Sequence, residues 1–432
     1  MTATPPQRKP APLYDAATTT VSRTVEKTPR GYLPSLGIGA FAIYLATLTP
    51  ALVGLQLKLL SIAGDGAATA LSLVASVGAL FALVVNPVAG RLSDRTRSRF
   101  GRRRPWIIGG AAVGFVALIG IGLATEVWMV LIAWCLAQAG FNAALAAITA
   151  TVPDQVPDAQ RGRASGIIGV GTPLAILVGS TAVALLPTDL LRFGVPAIVA
   201  LVGCAIFALL LRDRRAQSNE GTPFTWREFF GSFVFNPRRN PDFGWNWINR
   251  FLMFFGYTGI NTYLAYYLTD DFGVAGDQLA NVMLVANVFS VAGMVVASML
   301  GGWLSDRFHM RRPFVTIAGL IMVVGLLVLA FAPSLGVVYA AQLVVGLGFG
   351  SYLAVDLALA TSVLPNEADR AKDLGVLNIA NALPQSVAPA IAPAVLAFGS
   401  ALPIGGYSTW FLLGAVVAAI GSVLVYRIKG VR

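Results

Sequence analysis

The sequence predicts an all-α polytopic membrane protein, and three observations carry that prediction. Hydrophobic residues make up 56% of the 432 and charged residues 12%, where a soluble domain carries about 25% charged. The apolar residues gather into runs close to the ~20 residues that an α-helix needs to cross a bilayer. The basic residues follow the same division. Of 31 Lys and Arg, all but Lys58, Arg192 and Arg250 fall in the chain ends or in loops on one side of the expected spans, the positive-inside arrangement. A net charge of +11 could suggest nucleic acid, but charge held in short loops between apolar runs argues against that partner.

Taken in order, residues 1–32 are rich in Thr, Pro and charge and predict a disordered cytoplasmic tail. The first apolar run starts late and is full length, so no signal peptide is expected. Runs at 36–60, 67–89, 105–124, 127–152, 164–186 and 194–211 make a first six-helix half, residues 33–211. Residues 212–243 interrupt the pattern with Arg212, Arg214, Arg215, Arg238 and Arg239, and predict a cytoplasmic linker with a short amphipathic helix at 224–235. Runs at 245–268, 279–300, 313–332, 337–364, 374–398 and 409–426 make a second half, residues 244–428. That totals twelve transmembrane helices with both termini in the cytoplasm. Six spans per half keep the halves in one orientation, so they are related by a pseudo-two-fold axis along the membrane normal.

The repeat is visible in one segment. Gly90 to Pro105 reads GRLSDRTRSRFGRRRP, with seven Arg in sixteen residues. A bilayer core cannot hold so many cations, so a tight cytoplasmic turn is expected. Gly90 allows close helix approach, Asp94 can pair with Arg95, Arg102 or Arg103 and face a helix N-terminus, and Pro105 suits the first turn of the next helix. The same order returns at Gly302, Asp306, Arg307, Arg311, Arg312 and Pro313. These paired acids and bases are expected to latch the halves on the cytoplasmic side. Gly140-Phe141 in the fourth run is echoed by Gly348-Phe349 in the tenth.

The paired turns resemble the signature loop of the major facilitator superfamily. The long form SDRTRSRFGRRRP is similar to that of plant sucrose carriers and bacterial glycoside–pentoside–hexuronide cation symporters. The stretch Leu374 to Gln385, LGVLNIANALPQ, is similar to a stretch of the sucrose-type carriers. The resemblance implies alternating access around a cavity lined by spans 1, 4, 7 and 10. The chain departs from the sucrose carriers in the fourth span. Asn142 and Ala147 stand where those carriers have an Arg and an Asp. The second span, 67–89, also lacks the acids that bind sodium in melibiose-type carriers.

One carboxylate, Asp356, and one cation, Arg250, lie well inside spans. Each costs roughly 2.5–3.5 kcal/mol at a helix centre and needs a partner or water. At ~1.5 Å per residue their depths from the cytoplasmic side agree, roughly 9 and 12 Å. They are expected to meet, either as a fixed ion pair or as a carboxylate that takes up and gives off a proton. Helical spacing groups Arg250 with Phe254, Tyr257 and Asn261, and Gln342 with Phe349, Tyr352 and Asp356. It likewise groups Gln138 with Asn142 and Thr149, and Asn378 with Asn381 and Gln385. Amides bond hydroxyls and aromatic rings cover sugar faces, so Gln138, Asn142, Tyr257, Asn261, Gln342, Tyr352, Asn378, Asn381 and Gln385 are the expected substrate contacts. The alternative for each is a hydrogen bond between helices.

Cys135 and Cys204 fall inside apolar runs and read as small apolar residues rather than a disulfide. The single His309 sits in a loop without metal partners, so no metal and no cofactor are expected. With neither a second placed acid or base nor a filter-like motif, an enzyme and a channel are both disfavoured. The expected function is proton-coupled symport of a sugar or glycoside across the plasma membrane by a monomer. Its rival is proton-driven efflux of an amphipathic drug or metabolite.

Overall fold

The computed structural model describes residues 28–213, 240–274, 276–308, 310–362 and 370–429. It is a bundle of long helices. α1 runs Tyr32–Thr49, widens into a π-turn at Pro50–Gly54 and continues as Leu55–Ala63. Gly64, at φ 52°, ends it in a conformation that favours glycine. Then come α2 (Ala67–Arg95), α3 (Arg104–Leu123), α4 (Val127–Gln155), α5 (Arg161–Leu185) and α6 (Asp189–Leu210). After the linker come α7 (Pro241–Asp270), α8 (Asp277–Phe308), α9 (Arg311–Ala330), α10 (Leu335–Ser362), α11 (Arg370–Ser400) and α12 (Gly406–Leu424). Among the described residues ten stretches are long and apolar enough to cross a membrane. The first of these, 32–95, holds both α1 and α2. α7 is not among them, because its first half carries Asn246, Asn249 and Arg250.

The packing repeats itself. α2, α3 and α4 pack together, α3 lies on α6, and α1 on α5 and α6. In the same pattern α8, α9 and α10 pack together, α9 lies on α12, and α7 on α11 and α12. The two sets, α1–α6 and α7–α12, meet through α2 on α11, α5 on α8 and the end of α1 on α7. The ends near residues 28, 213, 240 and 429 share one face of the bundle, here the terminal face; the opposite end is the far face. The hydrogen bonds seen between the sets lie toward the far face. Ser72 Oγ donates to the Pro389 carbonyl at 2.6 Å, Asn287 Nδ2 donates to Ser180 Oγ at 2.9 Å, and Gln56 bonds α7.

Helix ends differ from the sequence reading in an informative way. The segment Gly90–Pro105 is not one tight turn, since α2 stays helical to Arg95 and α3 starts at Arg104. Charged residues end an apolar run but not a helix, because the backbone hydrogen bonds that make the helix do not depend on an apolar side chain. For the same reason α8 reaches Phe308, beyond the run at 279–300. The amphipathic segment expected at 224–235 and the loop histidine His309 lie outside the described residues. Cys135 and Cys204 are both buried and free.

The repeated Gly-Phe pair has a packing cause. A Cβ on Gly140 would stand 2.6 Å from the Gly110 carbonyl and 2.8 Å from the Gly114 nitrogen, so α4 lies backbone against backbone on α3. Gly348 does the same on α9, where a Cβ would stand 2.5 Å from the Met322 nitrogen. Gly140→Ala is therefore expected to cost about 1–3 kcal/mol by overpacking. Gly166→Ala, inside α5 and with an added Cβ that meets nothing, should leave the melting temperature in detergent unchanged or raise it slightly. Equal melting of both variants would contradict the close crossing.

Candidate functional site

α7, α10 and α11 bring the site together. Arg250 Nη2 stands 3.3 Å from Asp356 Oδ2, as the depth argument predicts. The Asp356 side chain is only 1% exposed and that of Arg250 12%. A buried carboxylate needs its other lone pairs occupied. Tyr352, one helical turn before Asp356 on the same face, donates its hydroxyl to Asp356 Oδ1 at 2.9 Å. Arg250 Nε donates to Asn381 Oδ1 on α11. Asn249 Oδ1 lies 3.4 Å from the Tyr352 hydroxyl, and its Nδ2 donates to the Gly421 carbonyl of α12 at 2.7 Å. The charge pair thus sits in a network that spans four helices of the second set. Removing either charge strands a buried partner.

Rings cover one side of this network. Tyr257 stacks on Phe349 with centroids 3.7 Å apart and planes 4° from parallel. Phe254 meets Phe349 edge-on at 5.2 Å. Further toward the far face, Gln342 is fully buried and neither of its amide atoms has a partner. Asn261 turns Nδ2 back to the Tyr257 carbonyl of its own helix at 2.9 Å, and is 7% exposed.

The first set contributes amides. Asn142 Nδ2 donates to the Gln138 carbonyl at 2.9 Å and lies 3.0 Å from Gln138 Oε1. Asn86 Nδ2 reaches Asn142 Oδ1 at 3.5 Å. α3 covers the Gly140 side of α4, Gly39 of α1 approaches Ile148, and Ala143 and Ala146 face Ala89 of α2. By helical spacing the stripe Gln138, Asn142, Thr149 takes a side that these contacts leave uncovered, with Asn86 of α2 at its border. On α11, Asn378 and Gln385 are exposed on the stripe of Asn381, which faces Arg250. Among the described residues no hydrogen bond joins the α4 stripe to the second set. The structure therefore unites Asp356, Arg250, Tyr352, Asn381, Tyr257 and Phe349 in one cluster and sets Gln138 and Asn142 apart from it.

The basic segment forms a second centre. Arg103, 3% exposed, donates to Asp94 and to Asp154 Oδ2 at 3.3 Å, and to Ser93 Oγ at 2.5 Å. Its Nη1 also lies 3.5 Å from the Gly90 carbonyl. Arg102 pairs with Asp154 at 2.8 Å. Asp94 thus finds its arginine, but it does not occupy the N-terminus of α3. Asp213 does, accepting from the backbone N–H of Arg103 at 2.7 Å and of Arg104 at 2.8 Å. It fits because Gly101, at φ 105°, has no Cβ; one would stand 2.2 Å from Asp213 Oδ2. These bonds tie α2, α3, α4 and the end of α6 within one set, whereas a latch between halves was expected. Arg95, Arg307 and Arg311 each have an interaction; Gly302 lies within α8, and the Asp306 side chain is outside the described ones.

Sequence reasoning missed Asn86, Asn249, Asp154 and Asp213. Asn86 and Asn249 were findable, as single amides one turn before Gly90 and beside Arg250. Asp154 follows Pro153 at the end of a run and Asp213 opens the linker, but nothing local says that they converge on Arg103.

Two similar six-helix sets, apolar stretches long enough to cross a bilayer and an ion pair buried among them define a multi-pass membrane protein. Residues 35–293 and 246–431 match the family model of the Major Facilitator Superfamily, and the chain belongs to that superfamily. Its fold is similar to that of the nucleoside transporter NupG, with TM-score 0.72 over 92% of this chain and 99% of that one at 12% identity. It is also similar to a bacterial homolog of the human lysosomal transporter Spinster in an inward-facing, unoccupied conformation. There the TM-score is 0.69 over 93% of this chain and 96% of that one, at 15% identity. Sequence likeness is shorter. Inositol transporter 4 of Arabidopsis thaliana is 32% identical over 133 residues, 30% of this chain and 22% of that protein. The general alpha-glucoside permease of Schizosaccharomyces pombe is 28% identical over 167 residues, 32% of this chain and 30% of that one. The chain thus spans less than a third of the length of these curated relatives.

Arg103 donates to two carboxylates and a hydroxyl, which a lysine cannot match from one nitrogen. Arg103→Lys is expected to cost about 1–3 kcal/mol, read as a lower melting temperature in detergent. Arg161→Lys, in the exposed pair with Asp158, should change it by less than about 1 kcal/mol. Identical melting of the two variants would show that the Arg103 centre contributes no stability.

Proposed function

We propose that this chain is a secondary transporter that moves a neutral, hydroxyl-rich molecule (a sugar, glycoside or cyclic polyol) in symport with a proton. The observation that carries the reading is the chemistry between the two sets. An amide of α11 and a stacked aromatic pair from α7 and α10 lie beside an ion pair whose charges cancel, and the amides of α4 add a separate polar stripe in the first set. Such a lining offers hydrogen bonds and ring faces but no net charge, which suits a polyol better than an ion. Gln342, with two orphaned amide atoms, supplies polar groups that a ligand would complete. The names of the inositol and alpha-glucoside relatives support the same substrate class.

We also take the chain to cross the plasma membrane twelve times in two halves with both termini cytoplasmic, an orientation that the basic loops on the terminal face support. The far face, closed by hydrogen bonds between the sets, is then the outer one. The halves of one copy of the chain rock about the central stripes, and α7 shifts against α10 within its half. Asp356 carries the proton: it loads when Arg250 moves away and unloads when Arg250 returns.

Counterflow into proteoliposomes tests the substrate class. Liposomes preloaded in turn with myo-inositol, sucrose, maltose, a nucleoside and an amphipathic cation are given the same labelled compound outside. Transient accumulation of a polyol or sugar is expected. Asn142→Ala and Gln385→Ala should each raise its KM about three- to tenfold with kcat kept, as for the loss of one neutral hydrogen bond. Counterflow of the amphipathic cation alone would replace this reading with the efflux one.

A further inference from the structure

Gln56 sits in the last part of α1, is fully buried, and uses its side-chain amide in an unusual way. Its Nε2 donates to the Asn261 carbonyl of α7 at 2.8 Å, and its Oε1 accepts from the Ala265 N–H at 2.8 Å. These two backbone groups are four residues apart on one helix. They are the acceptor and donor that an α-helix would otherwise pair with each other. The amide of Gln56 therefore engages both ends of one rung of the α7 ladder. The second Nε2 hydrogen donates to the Leu52 carbonyl of α1 at 2.6 Å, inside the π-turn at Pro50–Gly54. Both hydrogens and the oxygen are thus engaged. A flipped amide would set NH2 against N–H and oxygen against carbonyl, so the orientation is fixed.

We propose that Gln56 is a reversible latch holding the far face shut, and that the α7 rung at Asn261 and Ala265 is its other half. The physical point is what happens when it opens. Most buried contacts leave orphaned polar groups when they break, at a cost that would trap the closed form. Here the Asn261 carbonyl and the Ala265 N–H can pair with each other once Gln56 withdraws. Only the Gln56 amide itself needs a new partner, and at the end of α1 it opens to water. The latch therefore has two states with their backbone hydrogen bonds complete, the requirement for a bistable element. The neighbouring Ser72 bond has a related origin. Pro393 has no N–H to offer the Pro389 carbonyl, so that carbonyl is free to accept from Ser72 Oγ at 2.6 Å and from the Tyr263 hydroxyl at 3.2 Å. Gln56 differs because its partners can close up without it.

This inference rests on the alternating-access reading, so its test needs no substrate. Spin labels go on Asp65→Cys and Gln278→Cys, exposed on the far face in the two sets. A second pair goes on Ala159→Cys and Met310→Cys at the terminal face, with Cys135 and Cys204 replaced by Ala. Distance distributions are measured by double electron–electron resonance in nanodiscs. Gln56→Leu keeps the volume and removes all three hydrogen bonds. It is expected to raise the ratio of the long to the short far-face distance about three- to tenfold. The terminal-face distance should shorten reciprocally. Gln56→Glu sets a carboxylate oxygen against the Asn261 and Leu52 carbonyls in a buried site and should give a shift of the same sign and at least as large; it also stands in if the Leu variant does not fold. Two far-face distances in the parent chain with an unchanged ratio in both variants would overturn the latch while leaving alternating access intact. One invariant distance in every variant would overturn alternating access and the latch with it.

Discussion

The structure depends on the rule that a charge taken into a bilayer must keep its partners. Arg250 and Asp356 are the pair to which it applies most strongly, because Asp356 is almost wholly buried. Transfer of either ion alone is costly, and their attraction offsets this only with further hydrogen bonds. Tyr352 and Asn381 supply those bonds, and Asn249, beside the Tyr352 hydroxyl, ties α7 to α12 through the Gly421 carbonyl. The demands of two charges thus set how α7, α10, α11 and α12 meet in this conformation. The same rule shapes the edge of the first set, where Arg103 gathers Asp94 and Asp154 and holds α2, α3 and α4 together. One network lies deep in the second set and the other at the rim of the first.

Close helix packing makes such networks possible. Gly140 and Gly348 let α4 and α10 lie on α3 and α9 at backbone contact. Small residues there leave the wider gaps for the polar stripes on the other faces of α4 and α10. A conformational change that moves the sets can keep these crossings while it breaks the hydrogen bonds seen between the sets and, within the second set, parts α7 from α10 at Arg250 and Asp356. Those bonds lie toward the far face and use groups with another choice of partner, or carbonyls that proline has already freed.

Much of this was legible in the sequence. Apolar runs and basic loops gave the helices, and the constant rise of an α-helix placed Arg250 and Asp356 at one depth before any contact was seen. Periodicity also grouped Tyr352 with Asp356, which proved to be bonded. What stayed hidden were partners far away in the chain. Asp154 and Asp213 look like ordinary loop acids until α3 brings Arg103 between them. Gln56 looks like a lone amide near the end of a span, since nothing in one sequence shows that it bonds one rung of a helix two hundred residues later. Nor could the apolar runs show that α2 and α8 stay helical through their charged ends.

The central claim is that the Arg250–Asp356 pair opens and closes during transport rather than standing as a fixed brace. It is tested by imposing a pH gradient on proteoliposomes and measuring substrate accumulation beside substrate exchange at equal pH. Asp356→Asn should abolish accumulation and leave exchange within about a few-fold of the parent, because the cavity keeps its shape and polarity. Arg250→Ala should also lose accumulation. If the neutral double variant, Arg250→Ala with Asp356→Asn, recovers full pH-driven accumulation, the pair is structural and Asp356 does not carry the proton.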